Sequence, residues 1–291
     1  MKKEVRMNHK IIIDYRKERI PDKGKEIDIY WFSGTGNTLL IAQTLENILT
    51  SSGFKVNMKA LEKSDASKVD IYRTLGLAFP VAEQGTFPLV WDFINKIPSP
   101  VELGIRDAEA FMVDTMMAYS GGVKGPIKKI LRKKGFQTLG AKEIVMPNNL
   151  MKKKKQPEKD RLKIEKGKMA AEQFGRDLIS GKAVWRDIPI YSDLMGSFSK
   201  MDFNWNLLRN KFPLKVDDEK CTRCRLCEKN CPTGSWNFDE EQNRMIWAKE
   251  DCIYCLRCFS YCPVQAISYG KYKYIQNKGV STGMISGMLK P

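Results

Sequence analysis

The chain has 291 residues, of which 42% are hydrophobic and 29% are charged, and its formal net charge is +16 at pH 7. The length leaves room for two domains, and no apolar run approaches the roughly 18 residues that indicate a membrane-spanning helix. A single histidine, His9, argues against Ser-His-Asp or Cys-His catalysis and against histidine-ligated metals.

The positive charge is unevenly distributed along the chain. Residues 1–215 carry 39 Lys and Arg against 25 Asp and Glu, whereas residues 216–270 carry 7 against 9, and the last 21 residues add four lysines. No nucleic-acid-binding motif accompanies the charge, so we expect no nucleic-acid partner. An acidic protein partner or an anionic substrate fits the basic region better.

A glycine-rich loop follows the first predicted strand. Residues 1–25 form a charged extension, which we expect to lie on a sheet edge or to bind a partner. Residues 27–32 are predicted to form a buried strand. The loop that follows contains Ser33, Gly34, Thr35, Gly36, Asn37 and Thr38. An amphipathic helix comes next, so the pattern predicts a phosphate cradle built from loop amides, hydroxyls and a helix N-terminus. The loop lacks the lysine of a nucleotide triphosphate loop.

This loop resembles the Ser/Thr-Gly-Thr-Gly-Asn-Thr loop of flavodoxins, which binds the FMN phosphate without a cationic side chain. The match covers all six residues in the same strand-to-helix context. The resemblance implies FMN as a cofactor. The alternatives are a turn that only caps a helix, or a flavodoxin-like domain without its flavin.

Further strands are predicted at residues 55–60, 74–79, 111–116 and 142–146, with helices between them and a last helix over residues 158–180. This alternation predicts an α/β fold, a doubly wound five-stranded parallel sheet whose ligands bind past the C-terminal ends of the strands. The flavodoxin resemblance implies that two loops flank the isoalloxazine ring. These loops contain Pro80, Val81 and Ala82, and Tyr119, Ser120, Gly121 and Gly122. Tyr119 is a candidate to stack on the ring; the alternative is a tyrosine packed at a strand end.

Two segments after the sheet carry weaker signals. Residues 152–155 are four consecutive lysines, interpreted either as a solvated loop or as an electrostatic docking site. Residues 182–215 are rich in aromatic side chains, and we expect this linker to pack between two domains.

All eight cysteines lie in two runs of identical spacing: Cys, two residues, Cys, two residues, Cys, three residues, Cys-Pro. Three closely spaced thiolates can cap three corners of a cubane, and the fourth ligand must then come from another segment. Zinc needs only four ligands, usually as two Cys-x-x-Cys pairs, and structural disulfides belong to small secreted domains. Both alternatives fit the pattern poorly.

The spacing is that of bacterial two-cluster ferredoxins, in which each run lends its fourth thiolate to the other cluster. The resemblance implies two [4Fe–4S] clusters. The first would be held by Cys221, Cys224, Cys227 and Cys262, and the second by Cys252, Cys255, Cys258 and Cys231. Arg225 and Leu256 replace the glycine that is common after the second cysteine of each run. Cysteines kept for metal, with no signal-peptide core at the basic N-terminus, favour a cytoplasmic protein.

The combination resembles the EFR1 family of flavodoxin–ferredoxin fusions from anaerobic bacteria and archaea. The glycine-rich loop, residues 146–149 and both cysteine runs carry the resemblance. We divide the chain into an extension (1–25), a flavodoxin-like FMN domain (26–181), a linker (182–215), a small α+β ferredoxin domain (216–270) and a tail (271–291), which its glycines and lysines predict to be loose.

The expected function is electron transfer between FMN and the two clusters, coupling one-electron and two-electron redox partners. The alternative is an FMN-dependent reductase of a small substrate, such as an anionic one, fed through the clusters; a non-redox scaffold is a third. Whether the protein is an enzyme stays open, with a carrier favoured. No nicotinamide site is evident, so a protein is the expected electron donor or acceptor.

Overall fold

A parallel sheet of five strands forms the larger part of the chain. The computed structural model describes residues 26–119, 122–186, 202–271 and 273–289; the N-terminal extension lies outside them. The strands are β1 (Ile27–Trp31), β2 (Val56–Ala60), β3 (Thr74–Pro80), β4 (Glu109–Met116) and β5 (Gln137–Val145). All neighbours pair in parallel in the order β2-β1-β3-β4-β5. This is the flavodoxin strand order, and it confirms the predicted fold.

Four helices cover the sheet: α1 (Asn37–Ser51), α2 (Pro88–Lys96), α3 (Lys124–Lys134) and α4 (Pro157–Ile179). The apolar faces of α1 and α4 pack on one side of the sheet and those of α2 and α3 on the other, so two core layers form. β5 starts five residues before the predicted strand, because it continues pairing with β4 back to Gln137. Among the described helices, none combines the length and the apolar character needed to cross a membrane.

Asp114 is a fully buried carboxyl group near the C-terminal end of β4. Within the described part of the chain, neither of its oxygens has a hydrogen-bond partner. Burial raises the pKa of Asp114 well above its usual range, the nearby Glu143 carboxylate adds to the rise, and Lys124 opposes it. The carboxyl group is therefore protonated in the folded chain at pH values where the unfolded chain has lost the proton.

Replacing Asp114 by asparagine is expected to stabilise the protein more at pH 8 than at pH 5.5. The wild-type chain loses stability as the pH rises from about 4 towards the raised folded pKa, because only the unfolded state releases its proton there. Asparagine has no proton to release, so the variant lacks that loss. Melting temperatures of both proteins at the two pH values test this. A gain that is equal at both, or larger at pH 5.5, would contradict the assignment.

A smaller unit of short elements holds the cysteines. It follows α5 (Asp202–Lys211) and contains β6 (Leu214–Val216), α6 (Leu226–Lys229), β7 (Trp236–Asp239), β8 (Arg244–Trp247), α7 (Arg257–Tyr261) and β9 (Ile267–Tyr269). β6 pairs with β9 and β7 with β8, both antiparallel. The short helices α6 and α7 occupy equivalent places in the two cysteine runs. Side chains from these strands and most of the cysteines share one apolar core.

The aromatic segment before this unit contributes to the core of the sheet. Trp185 and Trp205 are buried, and the ring of Trp205 lies 5.4 Å from that of Phe87. Phe203, in contrast, is largely exposed. Tyr191 and Phe198, which also motivated the linker prediction, lie outside the described residues. Trp205 thus packs α5 onto the sheet domain, next to Phe87 in the loop after β3.

The C-terminal segment is packed, so the prediction of a loose end is wrong for residues 273–289. Helix α8 (Thr282–Met288) is capped by Ser281, whose hydroxyl accepts from the Met284 amide at 3.1 Å. Ile285 is fully buried against the α1–α4 side of the core. Gly279 donates its amide to the Thr35 carbonyl at 2.8 Å, and a Cβ there would lie 2.6 Å from the Asn37 nitrogen. Glycine in the tail thus permits close approach to the glycine-rich loop.

Candidate cofactor sites

The glycine-rich loop lies past the C-terminal end of β1 and is fixed by its own hydroxyls. The Ser33 hydroxyl accepts from the Gly36 amide at 3.0 Å, and the hydroxyls of Thr38 and Thr115 are 2.7 Å apart. Gly36 has a φ of 93°, in the left-handed region that favours glycine. The second bond joins the loop to the end of β4. The loop is thereby held at the switch point between β1 and β3, where open α/β sheets bind ligands.

Two asparagines brace the loop from the segment after β5. Asn37 donates its side-chain amide to the Pro147 carbonyl at 2.9 Å. Asn149 donates in turn to the side-chain oxygens of Asn37 (3.0 Å) and Thr35 (3.2 Å). These bonds give residues 146–149 a structural role that their sequence alone does not define.

The loop offers several backbone donors to a ligand. Within the described residues, no protein acceptor is found for the amides of Gly34, Thr35, Asn37 and Thr38. Three of these four residues are buried, which makes a missing partner costly in the absence of a ligand. Free amides at a helix N-terminus bind anions through their hydrogens and the helix dipole. The geometry therefore fits a phosphate group bound without a cationic side chain.

A cavity of about 470 Å³ opens beside this loop at the C-terminal edge of the sheet. Its walls include residues from all three predicted loops. These residues are Ser33, Gly34, Thr35, Asn37, Thr38, Pro80, Val81, Ala82 and Tyr119. Tyr119 is half-exposed, and Ser120 and Gly121 lie outside the described residues. Gly122 donates its amide to the Gln84 carbonyl at 2.8 Å, which joins the two outer loops. Gly36 instead packs against Tyr261 and Val280.

The opposite wall of the cavity comes from α5, the cysteine-bearing unit and the segment after it, and the sequence alone does not predict it. Its residues are Trp205, Leu208, Phe212, Tyr254, Cys255, Leu256, Tyr269 and Tyr274. The predicted packing of the aromatic linker is the only signal that pointed to Trp205 and Phe212. Tyr254 has none, since only the fold reveals that its hydroxyl donates to the Phe212 carbonyl at 2.6 Å. A flat, largely apolar ligand would contact both parts of the chain here.

The first predicted ligand set converges on one small cavity. That cavity is lined by Cys221, Cys224, Cys227 and Cys262, together with apolar side chains. Cys262 belongs to the second run, so the fold brings together the thiols that crossed ligation requires. Burial, followed by the neighbouring Cys221 and Cys224, raises the pKa of Cys227 to about 12.

The second set is more deeply buried. Burial raises the pKa of Cys255 to about 12, with Cys231 and Cys252 as closely interacting neighbours. Burial likewise raises the pKa of Cys258 well above its usual range, again with Cys252 and Cys231 nearby. A thiol must lose its proton to bind iron, so loading either set releases protons. These interactions place Cys231, from the first run, among the cysteines of the second.

Backbone amides point at sulfurs in matching places of the two runs. Ser235 donates to Cys231 Sγ and Ala266 donates to Cys262 Sγ, each at 3.2 Å. Such bonds stabilise thiolates and tune cluster potentials.

All eight cysteines are free. Across the described ranges, no three histidine, cysteine or acidic side chains are arranged around a single metal ion. A cubane carries four irons and spaces its thiolates more widely than one ion does.

The two residues that replace the usual glycine adopt the glycine conformation. Arg225 and Leu256 have φ values of 58° and 56°, in the left-handed region. The Arg225 side chain turns away to Glu228, at 2.6 Å, and lies over the Phe238 ring. Leu256 is buried in the core of the cysteine-bearing unit. Both residues therefore keep the left-handed backbone that a glycine would adopt here without strain.

The four-lysine run does not form a uniform exposed surface. Lys152 is buried and forms an ion pair with Asp160, and its carbonyl accepts from the Ile275 amide at 2.7 Å. Residues 153–155 are exposed. At most three of the four lysines are therefore placed to dock a partner.

Comparison with known proteins identifies the cysteine-bearing unit. Residues 220–266 match the family described as a 4Fe-4S dicluster domain. This match confirms the predicted pair of [4Fe–4S] clusters. The assignment of individual cysteines to each cluster stays a prediction.

Relatives of known name match only part of this chain. The archaeal-type glutamate synthase [NADPH] of Dehalococcoides mccartyi is 26% identical over 85 residues, which are 28% of this chain and 17% of the relative. Pyruvate synthase subunit PorD of Methanocaldococcus jannaschii is 42% identical over 53 residues, 18% of this chain and 60% of the relative. The chain thus spans less than a fifth of the first relative and less than two thirds of the second.

Solved structures resemble the sheet domain. A flavodoxin from Streptococcus pneumonia TIGR4 is 18% identical and covers 53% of this chain and 97% of its own, with a TM-score of 0.39. The flavodoxin of Megasphaera elsdenii is also 18% identical, over 50% and 98% of the two chains, with a TM-score of 0.36. The fold assignment depends on the strand order of the sheet itself.

Proposed function

We propose that this chain is an electron-transfer protein that passes electrons between FMN and its two [4Fe–4S] clusters. The observation that carries the proposal is the shared cavity. One wall of this cavity is the glycine-rich loop, at the switch point of a sheet with the flavodoxin strand order. The other wall includes Cys255 of the dicluster domain. A flavin in this cavity would lie beside a cluster ligand.

The chain's own groups fit FMN. The free amides of residues 34, 35, 37 and 38 would hold the phosphate, and the apolar cavity between Val81, Tyr119 and Tyr254 would take the ring. FMN, when bound, accepts or releases electrons singly or in pairs, whereas each cluster handles one at a time. The protein supplies position, exclusion of water and hydrogen bonds to the sulfurs.

The biological setting follows from the same features. We place the chain with the flavodoxin–ferredoxin fusions of the EFR1 family, as a cytoplasmic protein that exchanges electrons with a protein partner. The dicluster match and the flavodoxin strand order support this placement. The proposed units follow the predicted boundaries, with the tail packed on the sheet domain.

A second candidate, reduction of a small substrate at the flavin, is favoured by the exposure of Met117 and Tyr119 at the cavity. Anaerobically reduced protein separates the two functions. A carrier should be reoxidised quickly by redox proteins and only slowly by metabolites. Fast reoxidation by one metabolite would contradict the carrier assignment and support the reductase.

FMN is expected to bind flavin-depleted protein at least about 100-fold more tightly than riboflavin, its analogue without phosphate. Two or more hydrogen bonds to a charged phosphate, at roughly 1.5–3 kcal/mol each, account for a factor of that size. Titrations of both flavins by fluorescence quenching measure the ratio. Equal affinities would show that the glycine-rich loop is not a phosphate site.

A further inference from the structure

Arg257 is a buried cation inside the second cysteine run. Its side chain is only 1% exposed, and a charged residue is almost never buried this deeply unless it is paired. It stands directly before Cys258, and the equivalent residue of the first run, directly before Cys227, is Leu226. The two runs otherwise share their cysteine spacing and their left-handed residues. The second run therefore carries a feature that cluster binding alone does not require.

One guanidinium joins three separate segments. Its Nε and Nη2 donate to the Ser33 carbonyl at 3.1 and 2.8 Å, and Nη1 donates to the Asn230 carbonyl at 3.0 Å. Nη2 also lies 2.6 Å from the buried Glu62 carboxylate. Ser33 begins the glycine-rich loop, and Asn230 directly precedes Cys231. Arg257 thus connects both parts of the second ligand set to the candidate phosphate site.

The neighbouring backbone shows the same close contact. A Cβ on Gly34 would lie 2.2 Å from the Cys255 carbonyl oxygen, so the loop and the second run touch through their main chains. Arg209 of α5 donates to the Cys252 carbonyl at 2.7 Å from another side. Sheet and linker therefore hold the second run from two directions.

The first run is arranged differently. Cys224 is exposed whereas its equivalent, Cys255, is partly buried, and Cys221 is partly buried whereas its equivalent, Cys252, is buried. Arg223 is also exposed, and its side-chain bonds to described residues go to the carbonyls of Cys221 and Asn243, both within the cysteine-bearing unit. The first ligand set therefore reaches the surface, and the second faces the cavity.

We propose that Arg257 is a positioning residue that fixes the second ligand set against the glycine-rich loop. The second cluster is then the neighbour of the flavin, and the first cluster is the site of electron exchange with a protein partner. This order rests on the proposed function. Each step moves one electron, oxidises one centre and reduces the next, and makes or breaks no bond. Arginine suits the position because its planar guanidinium group can donate hydrogen bonds to several acceptors at once.

The test uses full-length protein with both clusters bound and replaces the ion pair as a unit, Arg257→Met with Glu62→Met. Removing both charges avoids a buried unpaired carboxylate, which alone would destabilise the fold. Arg223→Met is the matched control, an arginine of the first run with two carbonyl bonds. Anaerobic hydrogen exchange and the rate of flavin reduction through the clusters are measured for each.

In the double variant, exchange at the Gly36 amide, which is bonded to the Ser33 hydroxyl, and in residues 252–258 should accelerate about 10- to 100-fold, which corresponds to a loss of about 1.4–2.8 kcal/mol of local stability. Residues 221–227 should keep their wild-type exchange, and flavin reduction should slow at least about tenfold while iron content holds. Unchanged exchange, unchanged flavin reduction, or the same effects in Arg223→Met would overturn the proposal. Hydrogen exchange can be measured without flavin, so it tests the role of Arg257 even if the chain binds no flavin. Failure to bind flavin would refute only the proposed function.

Discussion

Replacing Cys231 by alanine should remove the second cluster and leave the first in place, although Cys231 lies in the first run. The reason is that the fold groups Cys231 with Cys252, Cys255 and Cys258, whereas the small cavity of the first set contains Cys262. Iron should fall from about eight to about four atoms per chain. Iron analysis and electron paramagnetic resonance of the reduced protein measure the loss.

Cys262→Ala is the matched control, with the opposite expectation: the first cluster is lost and the second kept. The two variants should also differ in the flavin. Without the second cluster, electrons given to the first should reach the flavin slowly, because the neighbouring centre is missing. Loss of the first cluster in Cys231→Ala, with the second retained, would refute crossed ligation.

Replacing Gly36 by alanine should destabilise the protein by about 2–5 kcal/mol. A side chain at its φ of 93° costs roughly 1–2 kcal/mol, and overpacking adds roughly 1–3 kcal/mol. The added Cβ would lie 2.3 Å from the Tyr261 hydroxyl and 2.8 Å from the Val280 nitrogen. Relief requires the dicluster domain and the tail to move off the loop. The melting temperature and the FMN affinity should both fall.

Gly53→Ala provides a close control. Gly53 has the same φ of 93°, but a Cβ there would meet nothing within 4 Å. Its cost should therefore be only the backbone term of about 1–2 kcal/mol, with FMN affinity unchanged. If the two variants lose equal stability, the contacts of Gly36 with the second part of the chain contribute nothing.

The sequence predicts the sheet well because each of its signals is local. Buried strands such as β1 and β3 are mostly apolar, and a glycine-rich loop marks the end of β1. The cysteine spacing is equally local. The start of β5 is not evident from the sequence, because the first three residues of the strand are all partly exposed and only pairing with β4 extends the strand to Gln137.

The interface between the two units could not be predicted, since it depends on contacts between distant residues. Arg257 and Ser33 are 224 positions apart, and nothing in the cysteine run distinguishes this arginine from a solvated one. The tail was misjudged for a similar reason. Its glycines indicate flexibility in isolation, whereas in the fold Gly279 provides the close approach to Thr35.

An anaerobic reductive titration of the purified protein, followed by absorbance, counts the electrons that the chain takes up. With one FMN and two clusters per chain, full reduction should take about four electrons, two for the flavin and one for each cluster. Flavin and cluster bands should bleach in the same titration. An endpoint at about two electrons, with no flavin band, would show that this chain does not join a flavin to its two iron–sulfur clusters.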